Sequence, residues 1–324
     1  MHKTLIDGTS YSINSGKSMI SGTVYNISSG KTMIGGTVYD ICINDEPTAM
    51  LYSDGNMVFQ LGKNIENGRT LINSYTGFEN LSSVPWESQY NNIIRVRFNT
   101  EISPINIGGW FQNTRNLRYI YNANRINMNK VTYMRSFCDN SFLRNIDYIV
   151  CGDNVQYMDY AYNNCGWIGG NPVCGNNVIT MNYAYSNCWS LTGKPVCGDK
   201  VTSMISAYNA CCNLTGSPVC GNNVVYMLNT YRNCPKIGSN GYFYSHNIVN
   251  AQNCFSVKNN SKRLNLYVPA NSTTATTVLY NNTKSLVGAN ITWTNAGTYQ
   301  YNITYNIYVY PVENVAAARA ANGD

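Results

Sequence analysis

The sequence predicts an α+β repeat protein in which a solenoid of short coils is flanked by β-rich segments. Two internal periods carry this prediction, one of 14 residues near the N-terminus and one of 23 residues in the middle of the chain. A third observation is the abundance of Tyr, Thr, Ile and Val near the C-terminus, which is typical of β-structure. These patterns divide the chain into four segments, 1–46, 47–104, 105–260 and 261–324.

The first segment, 1–46, contains three copies of a 14-residue unit. Lysine, glycine and tyrosine recur at this spacing, at Lys3, Lys17 and Lys31, at Gly8, Gly22 and Gly36, and at Tyr11, Tyr25 and Tyr39. Apolar and polar residues alternate beside a turn dipeptide in each unit, which predicts short antiparallel strands. Because one unit is too small to bury its own face, we expect the three to act together in docking or oligomerisation.

The second segment, 47–104, is predicted to be a β-rich cap for the repeats that follow. Two alternating runs in AMLYSDGNMVFQLG flank Asp54 and Gly55 and indicate a β-hairpin. Trp86 and Tyr90 then precede an alternating run that ends at Phe98 and indicates a further strand. Such a cap would cover a repeat end that otherwise exposes its core.

The third segment, 105–260, is dominated by the 23-residue period. Five columns keep this spacing over four units: Cys151, Cys174, Cys197 and Cys220; Val155, Val178, Val201 and Val224; Met158, Met181, Met204 and Met227; Tyr162, Tyr185, Tyr208 and Tyr231; Cys165, Cys188, Cys211 and Cys234. Met, Tyr and Cys stand at i, i+4 and i+7, which predicts one face of a short helix. A turn such as TGKPV follows, so we expect one short helix and one short strand per coil.

The last segment, 261–324, is predicted to be a β-rich cap at the C-terminal side of the repeats. Its first part, RLNLYVPANSTTATTVLY, and its later run, TYQYNITYNIYVYPV, are rich in β-forming residues. The closing ENVAAARAANGD is Ala-rich and is consistent with a frayed helix. We assign no function to this tail.

The columns of the third segment resemble the BspA-like leucine-rich repeats of bacterial surface proteins. Those repeats read approximately Val-Thr-x-Met-x-x-x-aromatic-x-x-Cys-x-x-Leu, and NVITMNYAYSNCWSLTG carries the match most fully. The resemblance covers roughly 105–257 and implies a leucine-rich-repeat solenoid. Members of that family carry export signals, whereas MHKTLIDGTSYSINSGK lacks the apolar stretch of a signal peptide.

A second resemblance links other parts of the chain to tail and structural proteins from phages of gut Firmicutes. It rests on the N-terminal repeats, on LYSDGNMVFQ and on the modules YVPANSTT and SLVGANITWT. It implies a virion protein of the tail, tail tip or baseplate that is assembled in the host cytoplasm. The implied partners are other virion proteins, through 1–46, and a host surface glycan or protein. Tail fibres of this kind are often homo-oligomers such as trimers.

The sequence leaves two alternatives to a virion protein that attaches to the host. One is a purely structural or decoration protein of the virion with no host ligand. The other is a bacterial surface adhesin whose export signal is missing from the sequence.

The composition argues against partners that are nucleic acids or membranes. Charged residues make up 12% of the 324 residues, and the net charge of +6 is spread without a continuous basic run. Nucleic-acid-binding proteins concentrate Lys and Arg on one face. No segment approaches the roughly 18 apolar residues of a membrane helix. We therefore expect neither nucleic-acid binding nor membrane insertion.

The twelve cysteines are predicted to be packing residues. Zinc sites favour pairs separated by two to four residues, but the two cysteines of each unit, such as Cys174 and Cys188, are 14 apart. Disulfides between stacked coils would need an oxidising compartment. We therefore expect buried free thiols, with no metal and no cofactor.

Catalytic residues are not evident in the sequence. The two histidines are His2, at the terminus, and His246, which is typical of a loop or strand edge. The sixteen carboxylates are scattered, and Asp153 and Asp159 share one coil without equivalents in the next. A glycosidase pair from distant coils is the alternative. We expect a protein that is not an enzyme.

Binding residues are expected at positions that vary from unit to unit while the adjacent positions stay constant. Three columns vary in this way: Tyr160, Tyr183, Ser206 and Asn229; Gly166, Trp189, Cys212 and Pro235; Trp167, Ser190, Asn213 and Lys236. Tyr and Trp beside Asn and Ser suit stacking on sugars or contact with a protein. The candidate ligand-binding residues are therefore Tyr160, Trp167, Tyr183, Trp189 and Asn213. The alternative is that the two tryptophans only shield loops over the core.

Overall fold

A computed structural model describes residues 46–146, 150–255, 263–275 and 306–323, together with the backbone of six strands between residues 2 and 40. Each 14-residue unit contributes one antiparallel hairpin, and the pairs flank the predicted turn dipeptides, which lie outside the described residues. The six strands are β1 (His2–Ile6), β2 (Thr9–Ile13), β3 (Lys17–Ile20), β4 (Thr23–Asn26), β5 (Lys31–Ile34) and β6 (Thr37–Asp40).

The second segment forms most of a six-stranded mixed sheet in the order β12-β11-β10-β8-β7-β9. Its strands are β7 (Pro47–Tyr52), β8 (Asn56–Leu61), β9 (Leu71–Thr76), β10 (Arg95–Phe98), β11 (Tyr119–Tyr121) and β12 (Asn145–Ile146). The hairpin β7–β8 turns at Asp54 and Gly55, where Gly55 takes a φ of 77°. Strands β8, β10, β11 and β12 pair in parallel, so the sheet continues from the cap into the first repeats.

A cluster of aromatic rings fills the core where this sheet meets the repeats. Phe59 lies at its centre and stacks on Trp110, with ring centroids 5.3 Å apart. Trp86 is fully buried and donates its indole N–H to the carbonyl oxygen of Trp110 at 2.7 Å. The core therefore runs without a break from the cap into the repeat region.

The repeat units lie side by side and are joined by parallel backbone contacts. Isolated parallel bridges connect equivalent positions 23 or 24 residues apart, namely Tyr133, Tyr157, Thr180, Ser203, Tyr226 and Asn250. The Val, Met and Tyr columns and the second Cys column are fully buried between the units. These contacts favour the stacked-coil arrangement, and its assignment as a leucine-rich-repeat solenoid stays a prediction.

The short helix predicted for each coil is wrong for the described residues of 105–255, which contain one turn of 3-10 helix at Ala123–Arg125 but no α-helix. In the unit around 158–165 the backbone N–H groups alternate in direction. Tyr160 and Tyr162 donate to carbonyls of the next unit, whereas Ala161 and Cys165 donate to the carbonyl three residues back. The cause is a left-handed backbone at two positions per unit, such as Tyr160 and Asn164 with φ of 59° and 56°, which a right-handed helix cannot contain.

The buried tyrosines form a ladder that satisfies the backbone of each unit. The rings of Tyr162, Tyr185 and Tyr208 are nearly parallel, at centroid distances of 5.4 and 5.6 Å. The Tyr185 hydroxyl donates to the carbonyl of Val173 at 2.8 Å and accepts the N–H of the same residue at 3.0 Å. Each tyrosine hydroxyl therefore binds the backbone of the residue twelve positions earlier, and this bond joins the two sides of one repeat unit.

The described cysteines are free thiols, and the second Cys column also supplies hydrogen bonds. Cys188 donates its thiol proton to the carbonyl of Tyr162 at 3.0 Å, and Cys211 makes the equivalent bond to Tyr185. Each thiol therefore links one unit to the preceding unit, in addition to filling space in the core.

The C-terminal side carries a parallel four-stranded sheet in the order β13-β14-β15-β16. Its strands are β13 (Val219–Cys220), β14 (Asn240–Phe243), β15 (Arg263–Pro269) and β16 (Asn306–Val312). Helix α1 (Val315–Ala321) follows, and the Asn314 side chain caps it by accepting the N–H of Ala317 at 2.9 Å. Residues 276–305 of the predicted C-terminal cap lie outside the described residues. None of the described helices has the length and apolar content of a bilayer span.

Candidate functional site

An open groove of about 350 Å³ crosses the early repeat units and is lined by exposed aromatic side chains. Phe142, Trp167 and Trp189 are 53%, 56% and 51% exposed, although each belongs to a residue type that normally avoids solvent. The lining residues, which we call the aromatic groove, are Arg115, Asn140, Ser141, Phe142, Asn164, Gly166, Trp167 and Trp189.

The three aromatic residues are exposed positions between buried positions of the same turn. Trp167 lies between the fully buried Cys165 and Ile168, and Trp189 lies between the fully buried Cys188 and Leu191. A side chain at Gly166 would place its Cβ 2.9 Å from the Trp189 ring. Glycine at this position therefore lets the indole of the next unit lie close over the backbone.

An asparagine ladder forms the polar part of the groove. The Asn164 side chain donates to the Asn140 amide oxygen at 2.6 Å and accepts from the Asn187 amide at 2.8 Å. All three asparagines have a left-handed backbone, which Asn tolerates better than most residues. The groove thus combines amide groups held in fixed positions with flat apolar surfaces.

The charge of the groove is weakly positive. Arg115 is exposed and makes no ion pair with the residues that the structure describes. Arg118 lies behind Phe142, with its guanidinium carbon 5.5 Å from the ring centroid. The lining contains no carboxylate. The groove therefore suits a neutral or anionic ligand that has flat, partly apolar faces.

The structure separates the five predicted binding residues into three groups. Trp167 and Trp189 share the aromatic groove. Tyr160 and Tyr183 stack on each other at 4.9 Å and do not line it. Asn213 donates to the carbonyl of Trp189 at 2.9 Å, so it supports the backbone of the groove and is outside the lining.

Sequence reasoning missed Phe142, Arg115 and the two asparagines of the groove. Phe142 belongs to an irregular early unit in which one residue is missing before the buried Leu143, so the repeat register hides its position. Asn140, Asn164 and Asn187 do recur at 24 and 23 residues, and that column was a usable signal. Arg115 has no equivalent in later units, and only the fold brings it to the groove.

No protein-family model, curated protein or solved structure matches this chain.

The acidic residues near the groove have structural partners. Asp159 is buried and binds the Arg135 guanidinium at 2.8 Å, the Thr180 hydroxyl at 2.6 Å and the N–H of Asn182 at 2.9 Å. Asp139 accepts from the Asn163 amide at 2.8 Å, and burial raises the pKa of its carboxyl group. These carboxylates hold adjacent units together.

The thiols are in an environment that suppresses their reactivity. Burial raises the pKa of Cys151 to about 12 and that of Cys174 to about 11. A thiol with such a pKa is protonated at neutral pH and is a poor nucleophile or metal ligand. Within the described ranges, no three His, Cys, Asp or Glu side chains are grouped as a metal site would require. The side chains that line the groove supply aromatic rings, amide groups, a hydroxyl group and a guanidinium group.

Proposed function

We propose that this chain is a non-enzymatic phage virion protein, of the tail or tail tip, that binds a saccharide of the host cell surface through a leucine-rich-repeat solenoid. The observation that supports the binding role is the aromatic groove, which is lined by the exposed side chains of Phe142, Trp167 and Trp189. The virion role rests on the resemblance of the N-terminal repeats and caps to phage structural proteins.

The convergence of three exposed rings favours recognition over simple shielding of the core. Single exposed aromatic residues are common on protein surfaces, whereas these three line the same open groove, which supports a binding role. The rings offer flat faces for the C–H faces of a sugar, while Asn140 and Asn164 offer amide groups at the same surface. A saccharide needs both kinds of contact, and its neutral hydroxyls match the absence of carboxylates in the lining.

Weak single-site binding is compatible with firm attachment when several copies act together. An open groove buries only part of a ligand, so we expect modest affinity per site. An oligomer formed through 1–46 would present several grooves at once, and effective concentration would raise the overall affinity by about 10²–10⁴.

The test uses the full chain on an array of bacterial cell-wall and capsular saccharides and on intact host cells. Replacing Trp167 and Trp189 together by Ala should reduce binding at least about tenfold, because both stacking surfaces are lost. Tyr226→Ala is the matched control, since Tyr226 is 47% exposed but lies outside the aromatic groove. Unchanged binding by the double variant would contradict the groove assignment. Binding to cells that disappears after protease treatment, with a silent array, would identify a protein ligand instead.

A further inference from the structure

One column of the repeat has a left-handed backbone whatever residue occupies it. Its non-glycine members and their φ angles are Ser136 at 55°, Tyr160 at 59°, Tyr183 at 57°, Ser206 at 54°, Asn229 at 56° and Asn253 at 55°. The conformation is set by the coil, because six successive units share it. The side chain at each position is therefore free to vary without changing the backbone.

Tyrosine is a poor choice for this backbone. Positive φ brings Cβ close to neighbouring backbone atoms, and bulky side chains there are genuine outliers, whereas Asn is several-fold enriched. Ser136, Ser206 and Asn229 show that small or amide side chains satisfy the same column. The fold does not require an aromatic ring at Tyr160 or Tyr183. Residues held in a backbone conformation that their type disfavours are concentrated at functional sites.

The two rings form an isolated pair with available polar groups. They are parallel within 4°, with centroids 4.9 Å apart, and Tyr160 is 40% exposed. Serine stands at the column positions before and after them, Ser136 and Ser206, so no ring continues the stack on either side. Neither hydroxyl has a hydrogen-bond partner among the described residues. The adjacent Tyr162, by contrast, is buried and uses its hydroxyl on the backbone of Val150.

We propose that the Tyr160–Tyr183 pair is a second saccharide subsite, separate from the aromatic groove and kept although it destabilises the backbone. Each ring has one face that the other ring does not cover and a hydroxyl group without a partner among the described residues. Both features suit a pyranose ring, which stacks through its C–H face and bonds through its own hydroxyls. This inference rests on the proposed recognition of surface saccharides but does not depend on the groove. An oligosaccharide that contacts both subsites would gain specificity for chain length.

The test is the double variant Tyr160→Asn, Tyr183→Asn in the full chain. Asn suits positive φ and already occupies the column at Asn229, so we expect the Tm to rise by about 2–4 °C. Affinity for the best-bound oligosaccharide of the array should fall about tenfold, from the loss of stacking. Gain of stability with loss of binding is the signature that a structural role would not produce.

Ala210→Asn is the matched control. Ala210 has a φ of 60° in the second left-handed column, so its replacement should also raise the Tm and should leave binding unchanged. A lower Tm in the tyrosine double variant would overturn the inference, because the fold would then need these rings. Unchanged saccharide affinity would also overturn it while leaving the groove intact. If the groove variants keep full binding and the tyrosine variant loses it, the pair is supported and the groove assignment fails. An array that binds nothing overturns both proposals.

Discussion

At the scale of single residues, glycine sets how closely two repeat units can approach. The Gly that follows the first Cys column lies against the backbone of the preceding unit in each coil. A Cβ on Gly175, Gly198 or Gly221 would lie 2.1, 2.6 or 2.7 Å from the carbonyl oxygen of the glycine one unit earlier. Real side chains do not tolerate such distances from a backbone atom. The Cys-Gly dipeptide is therefore a packing signature of the repeat.

We predict that Gly198→Ala lowers the free energy of unfolding by about 1–3 kcal/mol, because the backbones of two units must separate to admit the methyl group. Urea denaturation followed by circular dichroism measures the effect. Gly169→Ala is the control, since a Cβ there would meet only the Ser190 carbonyl oxygen, at 3.9 Å, and we expect a change within about 0.5 kcal/mol. Equal stability of the two variants would argue against close approach as the reason for glycine.

At the scale of the element, the sequence predicted which residues are buried better than it predicted their backbone. The Val, Met, Tyr and second Cys columns form the core because a residue repeated in every unit must pack on its own copies. The helix was wrong because i, i+4 and i+7 also lie on one side of a ribbon that alternates between inter-unit and local hydrogen bonds. Left-handed Tyr160 and Tyr183 could not be read as such, since their residue type normally avoids that backbone.

The aromatic groove shows a second limit of prediction from the sequence, also at the scale of the element. Phe142, Trp167 and Trp189 are separated by 25 and 22 residues, so no single period relates them. Trp167 and Trp189 occupy adjacent columns of the 23-residue period, and Phe142 lies in a unit whose buried Leu143 comes one residue early. A search for the repeat does not detect a site that is formed by residues deviating from the repeat. Trp167 and Trp189 were predicted only because their columns vary.

The buried thiol columns predict a specific dependence of stability on pH. Burial raises the pKa of Cys165, Cys220 and Cys234 to about 12, from an ordinary value near 9. Between these values the unfolded chain loses protons that the folded chain keeps, so stability is complete below about pH 9 and falls as the pH rises. We expect each of the three to contribute a loss of about 1.4 kcal/mol between pH 8 and 10.

Denaturation at pH 8 and pH 10 under reducing conditions checks this prediction. Cys234→Ala should be less stable at pH 8, but its loss between the two pH values should be smaller than that of the parent by about 1.4 kcal/mol. Buried tyrosines such as Tyr208, whose pKa is also raised by burial, act in the same direction and remain in both proteins. A stability that stays constant up to pH 10 would show that the thiols are hydrated in the folded state.

At the scale of the whole molecule, the chain joins small hairpins to one large continuous core. That core begins in strand β7 and extends through the repeats to strand β16. The hairpins β1–β2, β3–β4 and β5–β6 are separate two-stranded sheets, and two strands alone are marginally stable in water. This contrast supports the proposal that the segment 1–46 works by association, with other copies or with another virion protein.

We predict that removing residues 1–45 converts the oligomer into a monomer. The cut leaves Glu46, whose carbonyl accepts the N–H of Gly62 at 3.0 Å, so the pairing of β7 with β8 stays complete. We expect the full chain to sediment as an oligomer and the shortened chain as a monomer with the same affinity for a soluble oligosaccharide. Attachment to host cells should then fall by about 10²–10⁴, because only avidity is lost. Identical sedimentation of the two chains would move the association surface to the caps or the repeats.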